Sequence, residues 1–135
     1  MKRFYVDTCI WIDYFENRKD KFRPLGEWAF KFFRTVNENN WTIIISDFVI
    51  KELRNRFNEL LIKEIFKVVK NKKIVSCSKQ EFIEGLKLSK DKHISKYDGI
   101  HAIIARNYEA ILITRDKHFI ELNELIKVNK PEDLI

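Results

Sequence analysis

At 135 residues, with 45% apolar and 34% charged side chains but three Gly and two Pro, the chain is long enough to bury a core without disulfide or metal staples, and its composition excludes a disordered, collagenous or low-complexity protein. A net charge of +6 and a pI near 9.3 favour polyanionic partners, RNA or DNA, with the densest basic patch at Lys67, Lys70, Lys72 and Lys73. No apolar run is long enough to span a bilayer, and Cys9 and Cys77 lack the spacing of a zinc or redox site, so the expectation is a single cytoplasmic domain over residues 1–135 with two reduced cysteines.

The first element is a strand, Phe4 to Val6, ending directly at Asp7 and Thr8. In open parallel α/β sheets, ligands sit beyond the carboxyl ends of strands, which is where Asp7 falls. The plainer reading is a helix cap for the run Ile10 to Glu16. After a polar stretch and Pro24, Leu25 to Asn37 forms a second helix whose Trp28, Ala29, Phe32, Phe33 and Val36 share a core face. Phe30, with Trp11, Tyr14 and Phe15, leaves more large apolar surface than one face buries, which predicts a protein interface.

Trp41 to Ile45 is a buried central strand that ends at a capping pair, Ser46 and Asp47. The helix that follows continues to Val69, with Val49, Leu53, Phe57, Leu60 and Leu61 at core spacing, and Glu52 near the sheet edge. Lys73 to Ser76 makes a third strand, Glu81 to Ser89 a helix and Lys90 to Ser95 a polar loop. Tyr97 to Tyr108 is a helix buried nearly all round: Asp98, His101, Ala102 and Ala105 share one face, with the alanines permitting close backbone approach, and Ile100, Ile103 and Ile104 fill the next. A fourth strand, Ile111 to Thr114, ends in Arg115 and Asp116, and a fifth spans Leu125 to Val128.

Alternating strands and helices predict an α/β fold with a parallel sheet covered on both faces. Asp7, Glu52, Asp98 and Asp116 then converge on one cleft, where their repulsion calls for a divalent cation. Oxygen ligands suit Mg²⁺ or Mn²⁺, and a metal-charged cleft in a basic protein suits phosphodiester hydrolysis. Each carboxylate also has a plainer role: Asp98 at a helix N-terminus, Glu52 paired with Arg56, Asp116 in a turn, with Asp13 and Asp91 as surface charges. His93, His101 and His118 are too dispersed in sequence for a triad or zinc site, and His101 reads as a residue that packs or supports a ligand. Arg115 and Lys117 are candidate phosphate contacts.

Four segments together resemble the acidic motifs of PIN-domain nucleases: Val6 Asp7 Thr8; Lys51 Glu52 Leu53; Tyr97 Asp98 Gly99 Ile100 His101 Ala102; and Ile113 Thr114 Arg115 Asp116 Lys117 His118 Phe119. The resemblance covers essentially the whole chain. It implies a three-layer α/β/α sandwich with a mostly parallel sheet of four to five strands in the order 3-2-1-4-5. It also implies a Mg²⁺- or Mn²⁺-dependent endoribonuclease in which Asp7, Glu52, Asp98 and Asp116 hold metal, with Thr8 and Thr114 as polar helpers. The small size is similar to that of VapC toxins, which implies an RNA substrate, a small antitoxin partner and a homodimer. Three other classes remain: a non-catalytic RNA-binding scaffold, a housekeeping RNA-processing nuclease, and a phosphatase with Asp7 as nucleophile, disfavoured because Cys9 stands where a second Asp would be needed.

Overall fold

A computed structural model describes residues 2–135. Its β-branched and aromatic runs form five strands: β1 (Arg3–Val6), β2 (Thr42–Ser46), β3 (Lys72–Val75), β4 (Ile111–Ile113) and β5 (Val128–Asn129). They make one sheet in the order β3-β2-β1-β4-β5 with every neighbouring pair parallel, and Tyr5 of β1 lies opposite Ile44 on one side and Leu112 on the other. Phe4, Tyr5, Val6, Ile43, Ile44, Ile45, Leu112 and Ile113 are buried, as expected of central strands covered on both faces. The edge strand β3 carries Lys72 and Lys73 and leaves Ile74 exposed, a pattern that discourages further strand pairing.

Helices α1 (Thr8–Phe15), α2 (Leu25–Glu38), α3 (Asp47–Arg54), α4 (Glu59–Phe66), α5 (Lys79–Lys92) and α6 (Lys96–Asn107) flank the sheet, with 3-10 helices at Lys117–Leu122 and Pro131–Leu134. The caps explain where they start. Ser46 accepts a hydrogen bond from the Val49 N–H, Asn58 from Leu61 and Ser95 from Asp98, while Ser78 and Glu81 form a reciprocal capping box. Because β1, β2 and β4 are parallel neighbours, α1, α3 and the first 3-10 helix all begin at one edge of the sheet.

Some expectations are corrected. The long helix through residue 69 is two helices, because Asn58 restarts the backbone and shifts the buried face to Ile62, Ile65 and Phe66; Leu60 and Leu61 are exposed. Helix α5 extends to Lys92 and stops at His93 in the left-handed region (φ 56°), which shortens the polar loop. The fifth strand is displaced to Val128–Asn129, since Ile126 is drawn into the core by a turn in which its N–H bonds to the Leu122 carbonyl. Trp11 is not part of an open apolar face: it is fully buried, stacked on Phe33 at 4.7 Å between ring centroids.

Helices α5 and α6 meet at glycines. A Cβ on Gly99 would overlap the carbonyl oxygen of Gly85, and one on Gly85 would lie 2.7 Å from the Ile100 Cα. The close approach expected of Ala102 and Ala105 is thus made one turn earlier, beside Asp98. Gly99→Ala should therefore cost about 1–3 kcal/mol in urea unfolding, the range for overpacking a tight contact. Leu60→Ala, at an exposed position, should stay within about 0.5 kcal/mol. Equal effects from the two would contradict this packing.

Candidate active site

The edge where β1, β2 and β4 end carries the polar side chains of interest. Asp7 follows β1 and is held in the ladder by its own N–H, which bonds to the Ile113 carbonyl at 2.9 Å. Its Oδ1 accepts from the Thr8 N–H at 2.8 Å and its Oδ2 from the Thr114 hydroxyl at 2.7 Å, with the Cys9 thiol 3.4 Å away. The Thr114 Oγ1 in turn accepts from the Asp116 N–H at 3.0 Å. Buried Thr114 thus ties the carboxylate after β1 to the one after β4. Asp116 caps the first 3-10 helix through the His118 N–H and lies 3.2 Å from His118 Nδ1.

Glu52 arrives from α3. Its Oε1 accepts from the Thr8 hydroxyl at 2.8 Å and lies 2.5 Å from His101 Nε2. The other ring nitrogen, Nδ1, lies 2.5 Å from the Tyr5 hydroxyl, which is 2.6 Å from Ser46 Oγ. Asp98 stands in the first turn of α6, one turn before His101. Asp98, Asp116 and His118 each offer an atom within 4.8 Å of the others. Asp7 and Glu52 lie outside that group: Thr114 ties Asp7 to the Asp116 backbone, and Thr8 ties Glu52 to Asp7.

Burial raises the Asp98 carboxyl above its ordinary range, the negative charges of Asp116 and Asp7 raise it further, and the Ser95 hydrogen bond and His101 oppose the rise. Burial likewise raises the Tyr5 hydroxyl, which stays protonated at neutral pH, and pushes up the Cys9 thiol, next to Asp7. The donor set fits a hard divalent cation: carboxylate oxygens whose mutual repulsion a positive ion would relieve, with one exposed imidazole beside them. His118 is the residue that sequence distance concealed. The spacing Asp116-Lys-His118 was the available signal, because a turn with Asp as its cap returns the second following side chain to the carboxylate.

Two other expectations fail. Arg115 is not open to phosphate: its guanidinium is largely buried, donates to Glu132 at 2.8 Å, lies 3.6 Å from Asp13 and stacks over Trp28. Asp13 is not a surface charge. It is 4% exposed, between Arg18 and Arg115, and burial raises its carboxyl against the pull of those cations, Arg115 foremost. Lys117 is exposed. Glu52 pairs with Thr8 and His101, while Arg56 pairs with Glu16 at 2.7 Å.

The family model of the PIN domain matches residues 4–125. The chain belongs to the PIN domain family. Among solved structures it is similar to VapBC2 from Rickettsia felis bound to a DNA fragment from their promoter, with a TM-score of 0.69, 17% identity and coverage of 95% of this chain and 98% of that one. It is also similar to a toxin-antitoxin complex from Klebsiella pneumoniae (TM-score 0.65, 20% identity, 95% and 97% coverage) and to FitAcB from Neisseria gonorrhoeae (0.65, 16%, 95% and 97%). At these identities the likeness establishes the shared PIN fold. No curated protein sequence matches the chain.

The raised Asp98 carboxyl fixes the sign of a pH effect. A carboxyl whose folded pKa lies above its unfolded value supports the fold fully at pH below the ordinary carboxylate range and loses that support as pH rises through the raised value. In EDTA at pH 7, Asp98→Asn should therefore melt a few degrees higher than the wild type, with the gap closing toward about pH 4. Mn²⁺ should stabilise the wild type more than the variant in the same thermal melts. A lower melting temperature for Asp98→Asn in EDTA at pH 7 would contradict the crowding of charge at this edge.

Proposed function

We propose that this PIN-domain protein is a Mg²⁺- or Mn²⁺-dependent endoribonuclease, the toxin of a toxin-antitoxin pair. The observation that carries the reading is the meeting of Asp98 and Asp116, linked through Thr114 to Asp7, at the carboxyl edge of the sheet of a protein with a net charge of +6. Asp7, Asp98 and Asp116 would hold the cation and Glu52 would complete the acidic site. Thr8 and Thr114 act by fixing the carboxylates, since each hydroxyl donates to one of them. A bound divalent cation supplies charge neutralisation at phosphorus and activation of water. Water adds to phosphorus in line with the bond to the 3′ oxygen, that bond breaks, and the products carry a 5′-phosphate and a 3′-hydroxyl.

The strand to be cut needs a cationic track. A cavity of about 410 Å³ is lined by Arg23, Arg115, Lys117 and Lys130 with Ile120 and Glu121, and its Arg115 and Lys117 flank Asp116 in the sequence. Of its basic side chains Arg115 is committed to Glu132 and Arg23 to Asp20, which leaves Lys117 and Lys130 as the phosphate contacts. The toxin reading draws support from the similarity to a toxin-antitoxin complex from Klebsiella pneumoniae and from coverage of nearly the whole length of the similar structures. A small antitoxin, a homodimer and a cytoplasmic location belong to the same proposal, as does a single domain. Exposed Phe22, Phe30 and Leu60 are apolar surface for such contacts, and no helix among the described residues is long and apolar enough to cross a membrane.

The test is cleavage of end-labelled tRNA and ribosomal RNA by purified protein. Cuts should require Mn²⁺ or Mg²⁺ and stop in EDTA, and Asp7→Asn or Asp98→Asn should slow them by about 100-fold or more with the circular dichroism spectrum unchanged. Metal-independent RNA binding without cleavage would replace this reading with that of a scaffold. Lys117→Glu should raise KM with kcat little changed and flatten the salt dependence of KM. An effect on kcat alone would remove Lys117 from the phosphate track.

A further inference from the structure

Ser46, Tyr5 and His101 are each 1% exposed or less, in a sheet and helix otherwise filled with Ile, Leu, Val and Ala. Three adjoining buried polar side chains are costly unless fully hydrogen-bonded, and with Glu52 as a carboxylate and His101 as a neutral ring every hydroxyl and ring nitrogen here finds a partner. The Glu52 carboxylate only accepts, so His101 carries its proton on Nε2 and donates it. Nδ1 of the neutral ring must then accept, and Tyr5, kept a phenol by burial, donates to it. With its hydrogen so used, the Tyr5 oxygen accepts from Ser46, whose Oγ accepts in turn from the Val49 N–H at the start of α3. The chain starts at the cap of α3 and ends on Glu52, on the same helix.

We infer that His101 is a positioning residue for Glu52, locked by Tyr5 and Ser46 in the tautomer that donates from Nε2. Its ring cannot reach substrate, being 1% exposed with both nitrogens engaged. What it does is hold one carboxylate oxygen. Thr8 and His101 both bond Oε1, and no protein group among the described residues bonds Oε2. Glu52 is thereby presented with one oxygen pinned and the other available to water or cation. Outer partners of this kind set ligand orientation, and their loss costs about 10- to 100-fold in metal affinity.

The inference rests on the reading of Glu52 as part of the metal site, so the test separates the two. Mn²⁺ affinity is measured at pH 7 by the electron paramagnetic resonance of free Mn²⁺, on the whole chain, with folding followed by circular dichroism. His101→Leu and Tyr5→Phe should each weaken binding by about 10-fold or more, while His101→Gln, whose amide N–H reaches as far as Nε2, should stay within about threefold. The ¹⁵N signals of the His101 ring should show the Nε2–H tautomer in the wild type and a mixture in Tyr5→Phe. Should His101→Leu fail to fold, the nearly isosteric Tyr5→Phe carries the test. Wild-type affinity in Tyr5→Phe or His101→Leu, beside weakened binding in Glu52→Gln, would overturn the inference alone. Equal losses in His101→Gln and His101→Leu would overturn it too. Unchanged affinity in Glu52→Gln would overturn the reading of Glu52, and the inference with it, whatever the ring's tautomer.

Discussion

Like charge crowded at one edge of a parallel sheet is the constraint on which the rest of this structure depends. Burial raises the half-buried Asp98 carboxyl, and the negative charges of Asp116 and Asp7 beside it raise it further. The surroundings are arranged to hold them nonetheless. Thr114 spans from Asp7 to the backbone of Asp116, Thr8 reaches across to Glu52, and the Cys9 thiol adds a weak neutral donor at Asp7. Each donor is short and borne on a strand end or first helical turn, so the carboxylates are fixed by rigid elements. In the proposed reading, a cation bound at this edge would offset that repulsion.

Two devices away from the carboxylates keep that edge in register. Gly85 and Gly99 let α5 and α6 approach closely, which sets the height of α6 and hence of Asp98 against the sheet. Arg115, adjoining Asp116, is anchored to Asp13 on α1 and to Glu132 in the C-terminal 3-10 helix. The guanidinium therefore braces the strand end that bears Asp116. Burying this cluster is costly, and the ion pairs of Arg115 with Asp13 and Glu132 offset part of the cost.

Much of this was legible in the sequence because position alone carried it. Asp7 and Asp116 follow short apolar runs that read as strands, and Asp98 opens a helix that reads as buried nearly all round. What stayed hidden depends on contacts between residues far apart in the chain. Arg115 read as a free cation because Asp13 and Glu132, its partners, lie in separate segments. Tyr5 read as a strand former, and only the fold brings it to His101, 96 residues away. Asn58 is compatible with a solvent-facing helical position or with a cap, and its choice of the cap moved the apolar face from Leu60 and Leu61 to Ile62 and Ile65. His118 was set aside by its distance from the other histidines, when its neighbour of consequence is Asp116.

The most direct test of the central claim is to soak crystals of the wild-type protein in Mn²⁺ and locate the ion by anomalous scattering. A peak between Asp98 and Asp116 on the side of Asp7, at roughly 2.0–2.3 Å from carboxylate oxygens, is the predicted result. Manganese found only on surface carboxylates, with this edge empty at saturating concentration, would contradict the account.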